Sequence, residues 1–221
     1  MEERNTVKFK KEEFAIRERI KKEIGMGKIS KVKIEYTPIG EKIILSTNKP
    51  GLIIGRGGER IEELTKMLKN EFRLENPHIE IEEIKNPEFD AQLNADDIAL
   101  SLEKSGPLKF KVIAYRSLQK IMKAGALGVE IRLGGKLPSS RARTWRFSQG
   151  YLKKSGDSAK VVDTAQAIAQ TKPGVVGVKV SILSPNAELK DKIIITDELL
   201  AKLKENEKNA ENIKLKKLKK K

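Results

Sequence analysis

The sequence predicts an α+β protein: two modest domains in succession, the second built on a mostly antiparallel sheet, and then a basic C-terminal tail. Three observations carry this. Apolar residues recur at helical spacing in some stretches and alternate in others, and neither pattern dominates. A helix-breaking run at Ser105-Gly106-Pro107 divides the chain near its middle. The charge is also divided: residues 1–95 hold 19 Lys/Arg and 18 Asp/Glu, residues 96–195 hold 18 and 8, and residues 196–221 hold 9 and 5. Nearly all of the net +15 therefore lies beyond residue 95, as expected where a polyanion is gripped by the second half.

Composition removes several classes. A chain of 221 residues can bury a real core. It has no cysteine, hence no disulfide framework or thiolate metal site, and its single His78 cannot make a zinc or triad constellation. No cofactor or metal is expected. No apolar stretch approaches the roughly 20 residues that cross a bilayer, and the first residues are charged rather than signal-like. A cytoplasmic protein with no membrane partner follows as the expectation.

In the first half, Phe14, Ile16, Ile20 and Ile24 mark a helix over Phe9–Ile24, stopped by Gly25. Val32, Ile34 and Tyr36 form one face of a strand. Thr37-Pro38-Ile39-Gly40 turns the chain, and Ile43 and Leu45 open a second strand. Asn48–Ile54, with Pro50 near its start, is a short helical turn. A longer helix carries Ile61, Leu64, Leu68 and Phe72, and Ile79, Ile81 and Ile84 suggest a third strand.

Between the two helices stands Ile53-Ile54-Gly55-Arg56-Gly57-Gly58-Glu59-Arg60-Ile61. Glycines let successive N–H groups converge on a phosphate with no Cβ in the way, and the helix starting at Gly58 adds its positive dipole end. Arg56 can close over the anion, with Arg60 beside it. A dinucleotide fingerprint would need a third glycine where Arg60 stands. A Walker A loop fails at Gly135-Lys136, which is followed by Leu137. Two further strings, Gly125-Ala126-Leu127-Gly128 and Gly174-Val175-Val176-Gly177, have apolar middles and read as a helix end and a turn. The order helix, strand, strand, helix, loop, helix, strand resembles the KH fold in its type II, prokaryotic arrangement. That resemblance implies RNA binding, with Ile53, Ile54 and Ile61 lining the base groove and the backbone of Gly55, Arg56, Gly57 and Gly58 on the sugar-phosphate chain. The plain alternative is that the isoleucines are core residues.

The second half begins after a helical stretch, Ala91–Leu102, and the break that follows it. Phe110, Ala114, Leu118, Ile121 and Met122 form a buried stripe on the next helix. Lys109, Arg116, Lys120 and Lys123 lie at offsets of seven, eleven and fourteen from the first and share another face, with Lys111 nearby. Val129, Ile131 and Leu133 then alternate against Glu130 and Arg132. Between Val129 and Lys154 seven basic residues (Arg132, Lys136, Arg141, Arg143, Arg146, Lys153 and Lys154) face the lone Glu130, interleaved with Trp145, Phe147 and Tyr151. Guanidinium forks suit phosphates and aromatic faces suit bases, although for the only tryptophan a packing role is favoured. Val175–Leu183 reads as the last strand.

The strings Gly128–Leu137, Arg141–Tyr151 and Pro173–Val180, following a KH unit, are similar to the C-terminal domain of the third protein of the small ribosomal subunit, in its archaeal form. The resemblance spans roughly Phe9–Leu183. It implies a non-enzymatic rRNA-binding constituent of the subunit head, next to the path by which mRNA enters, with neighbouring ribosomal proteins as partners. It assigns Lys111 and Arg116 to the mRNA-facing helix, whereas Val112 and Tyr115 stand where bacterial members are often basic. The expected division is a KH domain over 1–95, a connecting segment over 96–107, the second domain over 108–185 and a lysine-rich tail over 186–221 that orders on RNA. Two competing readings are a free KH regulator of mRNAs and a nucleic-acid lyase or nuclease using a pair such as Asp96-Asp97. Adjacent aspartates point to different sides of a helix and suit dipole compensation at its start better than one shared metal.

Overall fold

In the computed structural model, residues 2–37, 40–72, 74, 76–139 and 141–189 are described. Pro38 and Ile39 of the expected turn and most of the lysine-rich tail, including Lys214–Lys221, lie outside them.

The first half is α1 (Glu2–Ile24), β1 (Ile29–Thr37), β2 (Gly40–Thr47), α2 (Pro50–Ile54), α3 (Glu59–Phe72) and β3 (His78–Glu83). Helix α1 buries Ile16, Ile20 and Ile24, one turn apart, and starts earlier than the apolar pattern indicated. Phe14, expected in that stripe, is 63% exposed because it points away from the Ile16 row. Strands β1 and β2 pair antiparallel, and β3 lies parallel to β2 because α2 and α3 carry the chain back across the sheet. Ile43 and Leu45 of the central strand pack with the α1 isoleucines, Ile53, Leu64 and Leu68 into one core.

The second half is α4 (Ala91–Ser105), α5 (Phe110–Lys123), β4 (Gly128–Gly135), β5 (Arg143–Gly150), β6 (Asp163–Thr171) and β7 (Gly174–Leu183). All pairings are antiparallel, in the order β5-β4-β7-β6. Residues 96–107 are not a connecting segment. Ala91, Ala95, Ile98, Ala99 and Leu102 of α4 lie in the second core with Phe110, Ile131 and Val180. The Ser105-Gly106-Pro107 break ends a helix, with Gly106 N–H bonded to Leu102 O at 2.9 Å; it does not begin a domain. Strand β6 has no bulky apolar row: Ala165, Ala167 and Ala169 face the alanines of α4, so the helix can sit close to the sheet.

Asp90 and Asp96 join the halves, and Asp163 holds the start of α4 within the second. Asp90 caps α4 by accepting the Leu93 N–H at 3.0 Å and also accepts the Ser30 hydroxyl from β1. Asp96 accepts the N–H of Gly27, in the loop after α1, and Asp163 of β6 accepts the Ala91 N–H at 3.0 Å. The helix start is thus capped by Asp90, not by the Asp96-Asp97 pair, which lies two turns further on.

Candidate nucleic-acid interface

The glycine loop is built from both sides. Pro50 starts α2, and the short helix ends at Gly55, whose φ of 76° admits few other residues. A Cβ at Gly55 would lie 2.8 Å from Arg60 Cβ, so this glycine makes room for α3 to fold back. Arg60 uses that room: its Nη1 donates to Leu52 O at 3.1 Å and closes the end of α2. Gly57 (φ 61°) and Gly58 (φ 88°) differ, since a Cβ on either would meet nothing within 4 Å. Their surroundings are open, and the backbone there is bare toward solvent. Arg56 is exposed beside them, and its side chain makes no ion pair or hydrogen bond among the described residues.

The isoleucines separate. Ile53 is fully buried in the first core and cannot line a groove for bases; this corrects its assignment. Ile54 is 38% exposed, and Leu52, which the sequence pattern did not single out, is 45% exposed next to it. Ile61 is half-buried. The alternation of one buried residue between two exposed ones belongs to a single turn of helix, too short for periodicity to assign.

On α5, Phe110, Ala114, Leu118 and Ile121 face the core, and Lys111, Arg116, Lys120 and Lys123 are exposed. Lys109 lies in a tight turn before the helix, so its helical offset does not apply. Lys120 meets Glu88 at 3.9 Å, a partner from another element. Lys111 Nζ lies 4.9 Å from the centre of the Trp145 ring, and Trp145 packs on Phe110 at 5.4 Å. Trp145 is therefore packing material. Phe147 is buried against Phe110 and Tyr115, whereas Tyr151 is exposed beside Lys153.

The cations of β4 and β5 are organised by one acid. Glu130, 4% exposed, contacts Arg146 Nε at 3.0 Å, Lys154 Nζ at 2.6 Å and Arg132. Burial alone would raise the pKa of Glu130. Hydrogen bonds from Lys154 and Arg132, with their charges, outweigh burial and hold the carboxyl below its usual range. Arg141, Arg143 and Lys136 are exposed and make no ion pair among the described residues. Lys179 of β7 is a further exposed cation that the sequence reading passed over, because it stands alone in an apolar strand.

Residues 15–89 match the family model described as KH domain, and residues 98–182 match that described as ribosomal protein S3, C-terminal domain. A protein of Methanocaldococcus jannaschii named small ribosomal subunit protein uS3 is 44% identical over 199 residues, covering 90% of this chain and 95% of that protein. The chain belongs to the ribosomal protein S3 family. Relatives of the same name in Methanosphaera stadtmanae and Methanothermobacter thermautotrophicus are 41% and 39% identical over 74% and 80% of the chain, covering 65% and 68% of their own lengths. The S3 family assignment fits the type II order of α1 to β3 with the loop at Gly55–Gly58. Among the described residues no group of three or more His, Cys, Asp or Glu is placed to hold a metal ion. Asp96 of the supposed lyase pair is occupied by Gly27 N–H and the Gln92 amide, at 3.0 and 2.9 Å.

Proposed function

We propose that this chain is a structural, non-catalytic constituent of the small ribosomal subunit, cytoplasmic, that holds small-subunit rRNA and supports translation. The observation that carries the reading is identity of 44% along 90% of the chain to a small-subunit protein, with both family domains in sequence. The geometry supports it. Gly57 and Gly58 leave open space over the backbone, where a Cβ would meet nothing within 4 Å. On the second half, exposed Lys109, Arg116, Lys123, Lys136, Arg141 and Arg143 offer cations to phosphates. The finer assignment places the protein in the subunit head, with Arg116 and its neighbours on α5 toward the path by which mRNA enters and with adjacent ribosomal proteins against its remaining surface.

Sedimentation of a lysate containing the tagged chain tests the reading. Cosedimentation with small subunits, retained through a high-salt wash, is expected. Recovery only from ribosome-free fractions, bound to free mRNA, overturns it.

A further inference from the structure

The open face of the four-stranded sheet carries a row of cations. Arg132 on β4 stands in register with Arg146 on β5 and with Lys179 on β7. Residues in register on neighbouring strands share a face and lie about 4.7–4.9 Å apart across the sheet. The flanking residues Ile131, Leu133, Val178 and Val180 are buried under the helices, so the row faces the other way. Like charges directly opposite each other weaken a sheet. Here three are in line.

Glu130, two residues before Arg132 on the same face of β4, offsets part of that repulsion through Arg132, Arg146 and Lys154. Lys179 is exposed, and its side chain makes no ion pair or hydrogen bond among the described residues. The face therefore holds four cations around one carboxylate, which orients two guanidinium groups without neutralising the row.

On the other side of the row the surface drops. Gly134 of β4 stands opposite Gly177 of β7. A Cβ on Gly134 would come no nearer than 3.5 Å to Thr144 Oγ1, and one on Gly177 no nearer than 3.8 Å to Gly134 O. Both are ordinary contacts, and neither glycine is among those with positive φ. The fold itself thus has no steric need for glycine at either position. Paired glycines inside strands weaken them and mark places where another backbone approaches.

We propose that this face binds the sugar-phosphate backbone of an RNA strand, which lies along the bare trough at Gly134 and Gly177. Its phosphates are held by Arg146, Arg132 and Lys179, and Glu130 is a positioning residue for the two arginines. Planar guanidinium forks fixed from behind suit phosphate oxygens better than freely moving lysines do. The proposal rests on the rRNA-binding reading above, and adds the face, the trough, Lys179 and Glu130 to it.

The test measures binding of the full chain to a small-subunit rRNA transcript across a salt series. Lys179→Gln is expected to reduce the slope of log K against log salt by about 0.7–0.9, the loss of one phosphate contact, and Lys179→Arg to restore it. Gly177→Val, which strand geometry accommodates, is expected to leave thermal unfolding unchanged or improved and to weaken binding about tenfold by filling the trough. Glu130→Gln is expected to weaken binding although it removes a negative charge. Simple charge counting predicts the reverse, so tighter binding by this variant overturns the positioning role. Unchanged rRNA binding by both Lys179→Gln and Gly177→Val overturns the site, including the case where they lose an acidic protein partner instead. These two variants decide the matter if Glu130→Gln does not fold. Failure of the unaltered chain to bind the transcript would instead sink the ribosomal reading itself.

Discussion

Asp96 on α4 accepts the backbone N–H of Gly27 at 3.0 Å, so a buried carboxylate of the second half holds the loop that leaves the first helix. Burial raises the pKa of Asp96, and the hydrogen bonds from Gly27 and Gln92 offset this only in part. Replacing Asp96 with Ala leaves both donors without their acceptor. A loss of about 1–3 kcal/mol is expected in urea unfolding. No loss would mean that the loop is held by other contacts.

Glu130 has the opposite linkage. Its folded pKa lies below the ordinary glutamate value of ~4.3, so the carboxylate contributes stability above that value. The contribution fades as pH falls through the folded pKa. The stability gap between the wild-type chain and Glu130→Gln should therefore be largest near neutral pH and close on acidification. A gap that stays constant from pH 7 to pH 3 would show that the contacts with Arg132, Arg146 and Lys154 carry no net charge stabilisation.

The loop glycines should separate cleanly. Gly57→Asp places a Cβ in open space in a conformation aspartate tolerates, so circular dichroism and melting should change little. Footprinting should nevertheless show lost rRNA protection at one site, because a carboxylate then faces the phosphate. Gly55→Ala meets Arg60 Cβ at 2.8 Å with a φ of 76°, and should lose stability first. Equal behaviour of the two variants would contradict this division.

Arg141 and Arg143 make no ion pair among the described residues and precede or begin an edge strand. Changing both to Gln should lower the salt slope of rRNA binding by about 1.4–1.8 if each meets one phosphate. An unaltered slope would leave them only the task of discouraging strand addition at β5.

Long periodic segments and the glycine loop were legible in the sequence; small residues and tertiary partners were not. The rows Ile16-Ile20-Ile24 and Val129-Ile131-Leu133 have bulky apolar residues at unmistakable spacing, and the structure buries both. Strand β6 escaped notice because alanine, a weak strand former, makes its inner face; that choice is explained only by the alanines of α4 across from it. Ile53 and Ile54 are chemically alike, and only the direction of one helical turn sends the first inward and the second outward. Glu130 looked like a lone acid in a basic stretch. Its burial and its three contacts depend on strand register, which a single sequence does not display.

The seam made by Asp90 and Asp96 has a kinetic corollary. A molecule whose halves swung freely would lose interdomain freedom each time both landed on one transcript. Here Asp90 and Asp96 tie the halves before any encounter, so under the proposed reading docking at either end would present the other at high effective concentration. Chelation of this kind slows departure far more than it hastens arrival.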